Sequence, residues 1–214
     1  GAGGPNNPFT GDVPRAGPDD PYPTRMSEAA REAKRKAEGT VLKLYNDPLG
    51  YCTIGKGHLI QGRVPGHKGL WKGPCSKAKE HGLIPAKWLK GGIPPDGNNT
   101  RAPNETMTAA EAEALFIKDV EVRERALVGY LRKHGNNVKL TQNQFDALMS
   151  VVYNSGDGNA INYIIKPYLS KGDFNGAANA FTVYNQMGYR RPGHKKYRKG
   201  LNRLREKEKA LFLT

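Results

Sequence analysis

The chain has 214 residues, which is the size of one domain or of one domain with tails. Only 37% of the residues are hydrophobic, and no apolar run is long enough to cross a bilayer, so we expect no transmembrane segment. Lysine and arginine number 34 against 20 acidic residues, which gives a formal net charge of +14. This excess favours association with a polyanion such as a nucleic acid, an anionic membrane or an acidic envelope polymer.

Residues 1–25 are rich in glycine, proline, asparagine and aspartate. This composition predicts a linker or tether, followed by one domain at residues 26–214. The alternative is an irregular arm that packs on the domain. The chain begins with glycine instead of methionine and shows no secretory leader, so we expect a processed product or a piece of a longer protein.

A helix and a β-hairpin are predicted next. Ser27 is a good N-cap and Gly39 a good stop, so the residues between them should form a helix. The β-prone runs 41–45 and 51–54 flank a turn that contains Asn46-Asp47-Pro48-Leu49-Gly50. Together these signals indicate a small α+β part at the start of the domain.

Residues 61–104 show little periodicity and are crowded with glycine, proline and lysine. Eight basic and two acidic residues leave this segment with a net charge of +6. A connection of this length is usually functional or partly structured. Of the two cysteines, Cys75 lies in this segment and Cys52 precedes it. Two reduced thiols are the default expectation, and a Cys52–Cys75 disulfide is the alternative in an oxidising compartment.

The rest of the chain is predicted to be helical. Thr108 with Glu111, and Thr141 with Gln144, have the capping-box pattern that opens a helix. The first of these helices should run to about Leu131. Shorter helices are expected near 160–169 and 173–181, and a last one near 196–212. The fold class is therefore α+β, with a small hairpin lobe and a larger all-helical lobe joined by the long helix from Thr108.

Two carboxylates in unlike surroundings lie near the hairpin. Glu38 ends the first helix, where the helix dipole disfavours a carboxylate anion, so we expect its pKa to rise if it is partly buried. Asp47 lies in the hairpin turn, where it can stay solvated and ionised. Such a pair is the usual equipment for cleaving a glycosidic bond, although two surface carboxylates nine residues apart are weak evidence by themselves.

The full string from Glu38 to His58 resembles the motif of the phage-type lysozymes, or endolysins. In that family a Glu is followed after eight residues by Asp or Cys, after five more by Thr, and then by I-G-x-G-H. Glu38, Asp47, Thr53 and Ile54-Gly55-Lys56-Gly57-His58 are in register with it. Residues 106–120, 140–156 and 199–212 resemble later helices of the same family. Residues 61–104 are longer than the typical family connection.

The resemblance implies a peptidoglycan hydrolase that cleaves the β-1,4 bond between N-acetylmuramic acid and N-acetylglucosamine. Glu38 would protonate the leaving oxygen, while Asp47 and Thr53 would position or activate a water. This arrangement implies inversion, with carboxyl groups about 6.5–9.5 Å apart. A lytic transglycosylase acting on the same bond and a non-catalytic wall-binding module are the alternatives.

The resemblance also implies further site residues. His58 is either a structural hydrogen-bonding residue of the site wall or a proton-transfer group. The other positions implied in saccharide binding are Leu59, Tyr153, Gly156 and Asn162. The closing helix offers Arg203 and Arg205 as possible ion-pair partners of Glu38.

No cofactor and no metal are expected. Cysteines and histidines occur at positions 52, 58, 67, 75 and 81, but their gaps follow no standard zinc spacing. The resemblance requires no metal either.

The expected partners follow from the charge and from the resemblance. Residues Tyr189–Lys209 are strongly basic, which favours attraction to anionic envelope polymers over nucleic-acid binding or a plain solvated face. We expect a monomer that acts on peptidoglycan in the bacterial periplasm or cell wall. Without a leader, it would need another route to the wall. It would be delivered by a secretion apparatus as an antibacterial effector, with a cognate immunity protein in the producing cell, or be released through a phage holin as an endolysin.

Overall fold

The computed structural model describes residues 21–64, 67–155, 157–183 and 195–214. The chain divides into two compact units. One, the β-containing unit, is Ala33–Asp119, and the other, the helical unit, combines Gly1–Glu32 with Val120–Thr214. Mixed helix and antiparallel sheet confirm the predicted α+β class. None of the helices in the described ranges combines the length and the apolar character needed to span a bilayer.

The β-containing unit is organised around a three-stranded antiparallel sheet. Its strands are β1 (Val41–Asn46), β2 (Cys52–Gly55) and β3 (His58–Leu59), in the order β1-β2-β3. The predicted runs 41–45 and 51–54 are therefore confirmed as the first hairpin. A core that includes Leu44, Ile54 and Ile60 lies against this sheet.

Residues 61–104 contain more regular structure than their composition predicts. They form a second hairpin and two short helices: β4 (Gln61–Val64), β5 (His67–Leu70), α2 (Cys75–Glu80) and α3 (Ala86–Leu89). Buried Ala78, Ile84 and Trp88 join the core of the sheet. The segment thus packs on the hairpin that carries Asp47, because its few apolar residues are spaced to meet that core.

Cys52 and Cys75 form a disulfide, so the default expectation of two reduced thiols was wrong. The main-chain N–H of Cys52 donates to the Gly73 carbonyl oxygen at 2.8 Å, which brings the start of α2 beside β2. The Cα atoms of the two cysteines are 4.6 Å apart, within the range that a disulfide requires. Sequence spacing could not show this proximity, since it depends on how residues 61–74 fold back.

Helices make up the regular structure described in the helical unit. The long helix α4 (Ala109–His134) begins in the β-containing unit and continues into this one. It is followed by α5 (Gln142–Ser155), α6 (Asp157–Asn159), a π-helical stretch (Ala160–Ile165), a 3-10 turn (Leu169–Lys171), α7 (Phe174–Val183) and α8 (Lys195–Phe212). Both predicted capping boxes are confirmed: Thr108 and Glu111 bond reciprocally, as do Thr141 and Gln144.

Residues 21–25 pack on the helical unit. Tyr22 and Thr24 are buried, and the main-chain N–H of Leu140 donates to the Pro21 carbonyl oxygen at 2.8 Å. For these residues the structure favours the packed arm over the predicted tether. The tether itself, at residues 1–20, lies outside the described residues.

Glu124 is a buried carboxyl group on α4. The main-chain N–H of Met26 donates to its Oε2 at 2.6 Å, and a guanidinium nitrogen of Arg31 lies 3.7 Å from its Oε1. Burial raises the pKa of Glu124 to about 7, and Glu121 adds to this rise, while the Met26 N–H, Arg31 and Arg25 oppose it. The fold therefore favours the protonated form of Glu124 more than the unfolded chain does.

This raised pKa predicts that stability falls as the pH rises. Because the pKa of Glu124 is about 7 in the fold and 4.5 for an ordinary glutamate, its contribution is complete below pH 4.5 and is lost as the pH passes 7. The free energy of unfolding should drop by roughly 2 kcal/mol from this group between pH 5 and pH 7. Urea unfolding at both pH values should show a smaller drop in Glu124→Gln, whereas Glu206→Gln, an exposed control, should keep it. An equal drop in all three proteins would contradict the prediction.

Candidate active site

Glu38 is the last residue of α1 (Glu28–Glu38), as the sequence predicts. The helix starts at the predicted N-cap, where the Ser27 hydroxyl accepts from the Ala30 N–H at 3.1 Å. The Glu38 side chain is 24% exposed, and its Oε1 lies 3.7 Å from Nζ of Lys34, one turn earlier and itself buried. Glu38 is thus a partly buried carboxyl group at the negative end of a helix dipole.

The main chain of Gly57 lies directly against the Glu38 carboxyl group. Gly57 has φ +72°, and a Cβ built on it would come 2.1 Å from Oε2 of Glu38. Only glycine combines this backbone conformation with so close an approach. The glycine before His58 in the motif therefore shapes the place where the Glu38 carboxyl group sits.

Asp47 lies in the turn between β1 and β2 and is held by main-chain donors. Its Oδ1 accepts from the N–H groups of Leu49 at 2.8 Å and Tyr51 at 2.9 Å. The side chain is half-buried, which corrects the expectation of a solvated group. Burial raises the pKa of Asp47, while the N–H groups of Tyr51, Leu49 and Gly50 oppose that rise. These contacts give the carboxyl group a defined orientation.

Thr53 and Tyr45 are directly opposite each other on β2 and β1. Thr53 is 2% exposed, and its hydroxyl donates to the Tyr51 carbonyl oxygen at 2.8 Å. Because that bond uses the hydroxyl proton, the Thr53 oxygen can still accept a hydrogen bond from a water.

Tyr45 is a site residue that the sequence analysis missed. Burial raises the pKa of its phenol, and the carboxylates of Glu38 and Asp47 raise it further, while Arg101 and the Gly57 N–H oppose the rise. Both candidate catalytic carboxylates therefore act on one phenol. Its position in the sequence could have indicated this role, since Tyr45 lies on a predicted strand two residues before Asp47.

The predicted residues after the motif glycines also lie in this unit. Nδ1 of His58 is 2.8 Å from Oδ2 of Asp119, and its ring packs edge-on to Trp88 at 6.0 Å between centroids. Leu59 is half-buried and is opposite Thr53 on β3. The hydrogen bond to Asp119 suits a structural residue of the site wall, and substrate contact by His58 and Leu59 stays a prediction.

A family model described as phage lysozyme matches residues 89–208, which is more than half of the chain. The chain belongs to the phage lysozyme family. Its domain is thus of the lysozyme type among the glycoside hydrolases. The matched range begins after the Glu38–His58 motif, so the roles of the motif residues rest on their register and on the geometry described above.

Individual relatives of this lysozyme domain are endolysins. The endolysin of Salmonella phage P22 is 28% identical over 180 residues, which cover 84% of this chain and 92% of that protein. The endolysin of Bacillus phage B103 is 36% identical over 112 residues, or 52% of this chain. The chain spans only 38% of the length of that second endolysin. The solved endolysin from Escherichia coli O157:H7 phage FAHEc1 is 25% identical, with a TM-score of 0.56 over 88% of this chain and 93% of that chain.

The remaining predicted site residues of the lysozyme domain belong to the helical unit. Tyr153 lies on α5, and the Cζ atom of Arg123 is 4.4 Å from the centroid of the Tyr153 ring. Asn162 is exposed on the π-helical stretch. Gly156 lies outside the described residues. The saccharide-binding roles of these three positions stay predictions.

The two arginines proposed as partners of Glu38 have different surroundings on α8. Arg203 is exposed, whereas Arg205 is 1% exposed and forms an ion pair with Glu208 one turn later. Its burial and this ion pair indicate that Arg205 contributes to the packing of the helical unit. Pairing of either arginine with Glu38 stays a prediction.

Metal chemistry at the predicted cysteine and histidine positions is limited by the disulfide. Since Cys52 and Cys75 are bonded to each other, neither can supply a thiolate to zinc. Nδ1 of His58 is engaged with Asp119. The disulfide therefore removes both candidate thiolate ligands.

Proposed function

We propose that the chain is a muramidase that hydrolyses the β-1,4 bond between N-acetylmuramic acid and N-acetylglucosamine. The observation that carries this proposal is a pair of carboxyl groups in different local environments: Glu38 is partly buried at the end of α1 against Gly57, and Asp47 is held in the β1–β2 turn by main-chain N–H groups. Membership of the phage lysozyme family and the endolysin relatives support peptidoglycan as the substrate.

Glu38 is the proposed general acid. Its place at the negative end of α1 and its partial burial disfavour the anion, whereas the Lys34 ammonium 3.7 Å from its Oε1 favours it. In the reaction it donates its proton to the glycosidic oxygen as the bond from that oxygen to the anomeric carbon breaks. Lys34 at 3.7 Å then stabilises the carboxylate that is left. After the products leave, solvent returns a proton to Glu38 and takes up the proton that Asp47 accepted from the attacking water.

Asp47 and Thr53 are the proposed water-activating pair. The main-chain N–H groups of Leu49 and Tyr51 aim the Asp47 carboxylate, which accepts a proton from the attacking water. The Thr53 oxygen accepts the second proton of that water in a hydrogen bond. The water oxygen bonds to the anomeric carbon on the face opposite the leaving group, so the product has inverted configuration.

Product analysis in water labelled with heavy oxygen tests this proposal. Purified peptidoglycan digested by the wild-type chain should yield fragments with a reducing muramic acid end that carries one labelled oxygen. Unlabelled anhydro-muramic ends would mean that the sugar's own hydroxyl attacks, which is the transglycosylase reaction. No new ends at all, with wall binding retained, would leave a wall-binding module. Either of the last two results would overturn the hydrolytic mechanism.

The setting of the reaction is the bacterial cell wall or periplasm. Two routes give access: delivery as the lysozyme domain of an antibacterial effector, and release as an endolysin through a phage-made membrane pore. The net charge of +14 supports attraction to anionic envelope polymers in either case. An effector also requires a cognate immunity protein in the producing cell. Copurification of such a protein from the native producer, but not from a phage-infected host, distinguishes the two routes.

A further inference from the structure

The sheet of the β-containing unit gains a fourth neighbour from the end of the 61–104 segment. Tyr45 on β1 forms an antiparallel bridge with Arg101. The main-chain N–H of Asn46 donates to the Thr100 carbonyl oxygen at 2.9 Å, and the N–H of Ala102 donates to the Leu44 carbonyl oxygen at 2.8 Å. These bonds flank the pair of Tyr45 and Arg101, which is therefore a non-hydrogen-bonded pair with closely spaced side chains on one face.

The same face continues across the other strands. Tyr45 is in register with Thr53 on β2, and Thr53 is in register with Leu59 on β3. Residues directly opposite each other in a sheet project to the same side. One face of the sheet thus presents a row made of Arg101, Tyr45, Thr53 and Leu59, here called the cross-strand row. Two of its members, Thr53 and Leu59, are already proposed to face the substrate.

Arg101 brings a positive charge to this row. It is exposed, and among the described residues it takes part in no ion pair. Its guanidinium is close enough to Tyr45 to act electrostatically on the phenol, which Glu38 and Asp47 also influence. An exposed arginine that is not neutralised by a neighbouring carboxylate can receive an external anion at the edge of the site.

We propose that Arg101 is a substrate-binding residue that holds a carboxylate of the peptide attached to muramic acid. This inference rests on the proposed function. Each muramic acid of peptidoglycan carries a short peptide with free carboxylates beside the bond that is cleaved, and the planar guanidinium fork matches a carboxylate in a bidentate manner. Arg101 lies near the end of segment 61–104, where it bridges to Tyr45 on β1.

The test compares Arg101→Gln with wild type on native peptidoglycan and on peptidoglycan whose carboxylates have been converted to neutral amides. On native substrate, Arg101→Gln should raise KM about tenfold, the effect of losing one charge-assisted hydrogen bond, with kcat within about twofold of wild type. On the amidated substrate the two proteins should have equal KM. Arg101→Lys should recover part of the loss, because a point charge replaces the fork. Lys79→Gln removes an exposed charge of the same segment and should behave as wild type.

Two outcomes would overturn the inference. An unchanged KM of Arg101→Gln on native substrate would show that the guanidinium does not bind the peptide. An equal loss on native and amidated substrate would assign Arg101 a structural role. Both outcomes require that wild type releases reducing muramic acid ends, so they are distinguishable from failure of the proposed function, in which wild type itself releases none.

Discussion

Replacing Glu38 by glutamine is expected to lower kcat for glycosidic bond cleavage by about 10³-fold, because general acid catalysis contributes about 10²–10⁴. Glutamine keeps the size of the side chain but has no carboxyl proton to give to the leaving oxygen. KM should change little, since the variant retains the shape of the site. The rate of reducing-end formation on purified peptidoglycan measures the effect.

The control for this variant is Glu113→Gln in the same unit. Glu113 has a similar exposure of 34% and pairs with Arg35 at 2.8 Å and with Lys56 at 4.0 Å, but it lies outside the proposed catalytic set. It should keep kcat within about threefold of wild type, because Glu113 has no proposed role in the reaction. The fold should also be retained, because exposed ion pairs contribute little to stability. Thermal unfolding of both variants shows whether the fold is intact. If folded Glu38→Gln keeps a tenth or more of the wild-type rate, Glu38 is not the acid.

Replacing Gly57 by alanine is expected to reduce kcat about 10²-fold, because displacing a catalytic group by about 1 Å can cost that much. The new Cβ would lie 2.1 Å from Oε2 of Glu38, and the carboxyl group is the end of a flexible side chain that can move away. The left-handed backbone at Gly57, with φ +72°, adds a loss of stability of about 1–2 kcal/mol. The fold should therefore survive while Glu38 leaves its position.

Gly82→Ala separates the two effects. Gly82 has nearly the same backbone conformation, with φ +69°, but a Cβ at that position would meet nothing within 4 Å. It should lose a similar amount of stability in urea unfolding and keep its activity. Equal kcat values for the two alanine variants would contradict the proposed contact between Gly57 and Glu38.

Local patterns predicted much of this fold. The N-cap at Ser27 and the two capping boxes, which begin at Thr108 and Thr141, all form, since a cap depends on residues within one helical turn. The hairpin around Asp47 forms for the same reason, because its turn and its two β-prone runs are short-range features. The family was also accessible, since the motif from Glu38 to His58 is continuous in sequence.

The surroundings of the site residues could not be predicted from local sequence patterns alone. Asp47 was expected to be solvated, but its side chain is half-buried and accepts hydrogen bonds from the N–H groups of Leu49 and Tyr51. How far a side chain is buried depends on the packing of the whole unit. The contact of Gly57 with Glu38 joins residues nineteen positions apart, and no periodicity relates them. Local propensity describes a residue's own turn or strand and does not include what packs against it.

By itself, the sequence determined the class of the fold, the ends of the principal helices and the candidate acid, because these depend on neighbours along the chain. Tertiary structure decided the Cys52–Cys75 bond and the bridge from Tyr45 to Arg101. Both join residues 23 or more positions apart through a segment whose composition shows little periodicity. The path of such a segment is chosen by which of its apolar residues reach the common core, and that choice is made only when the whole unit folds.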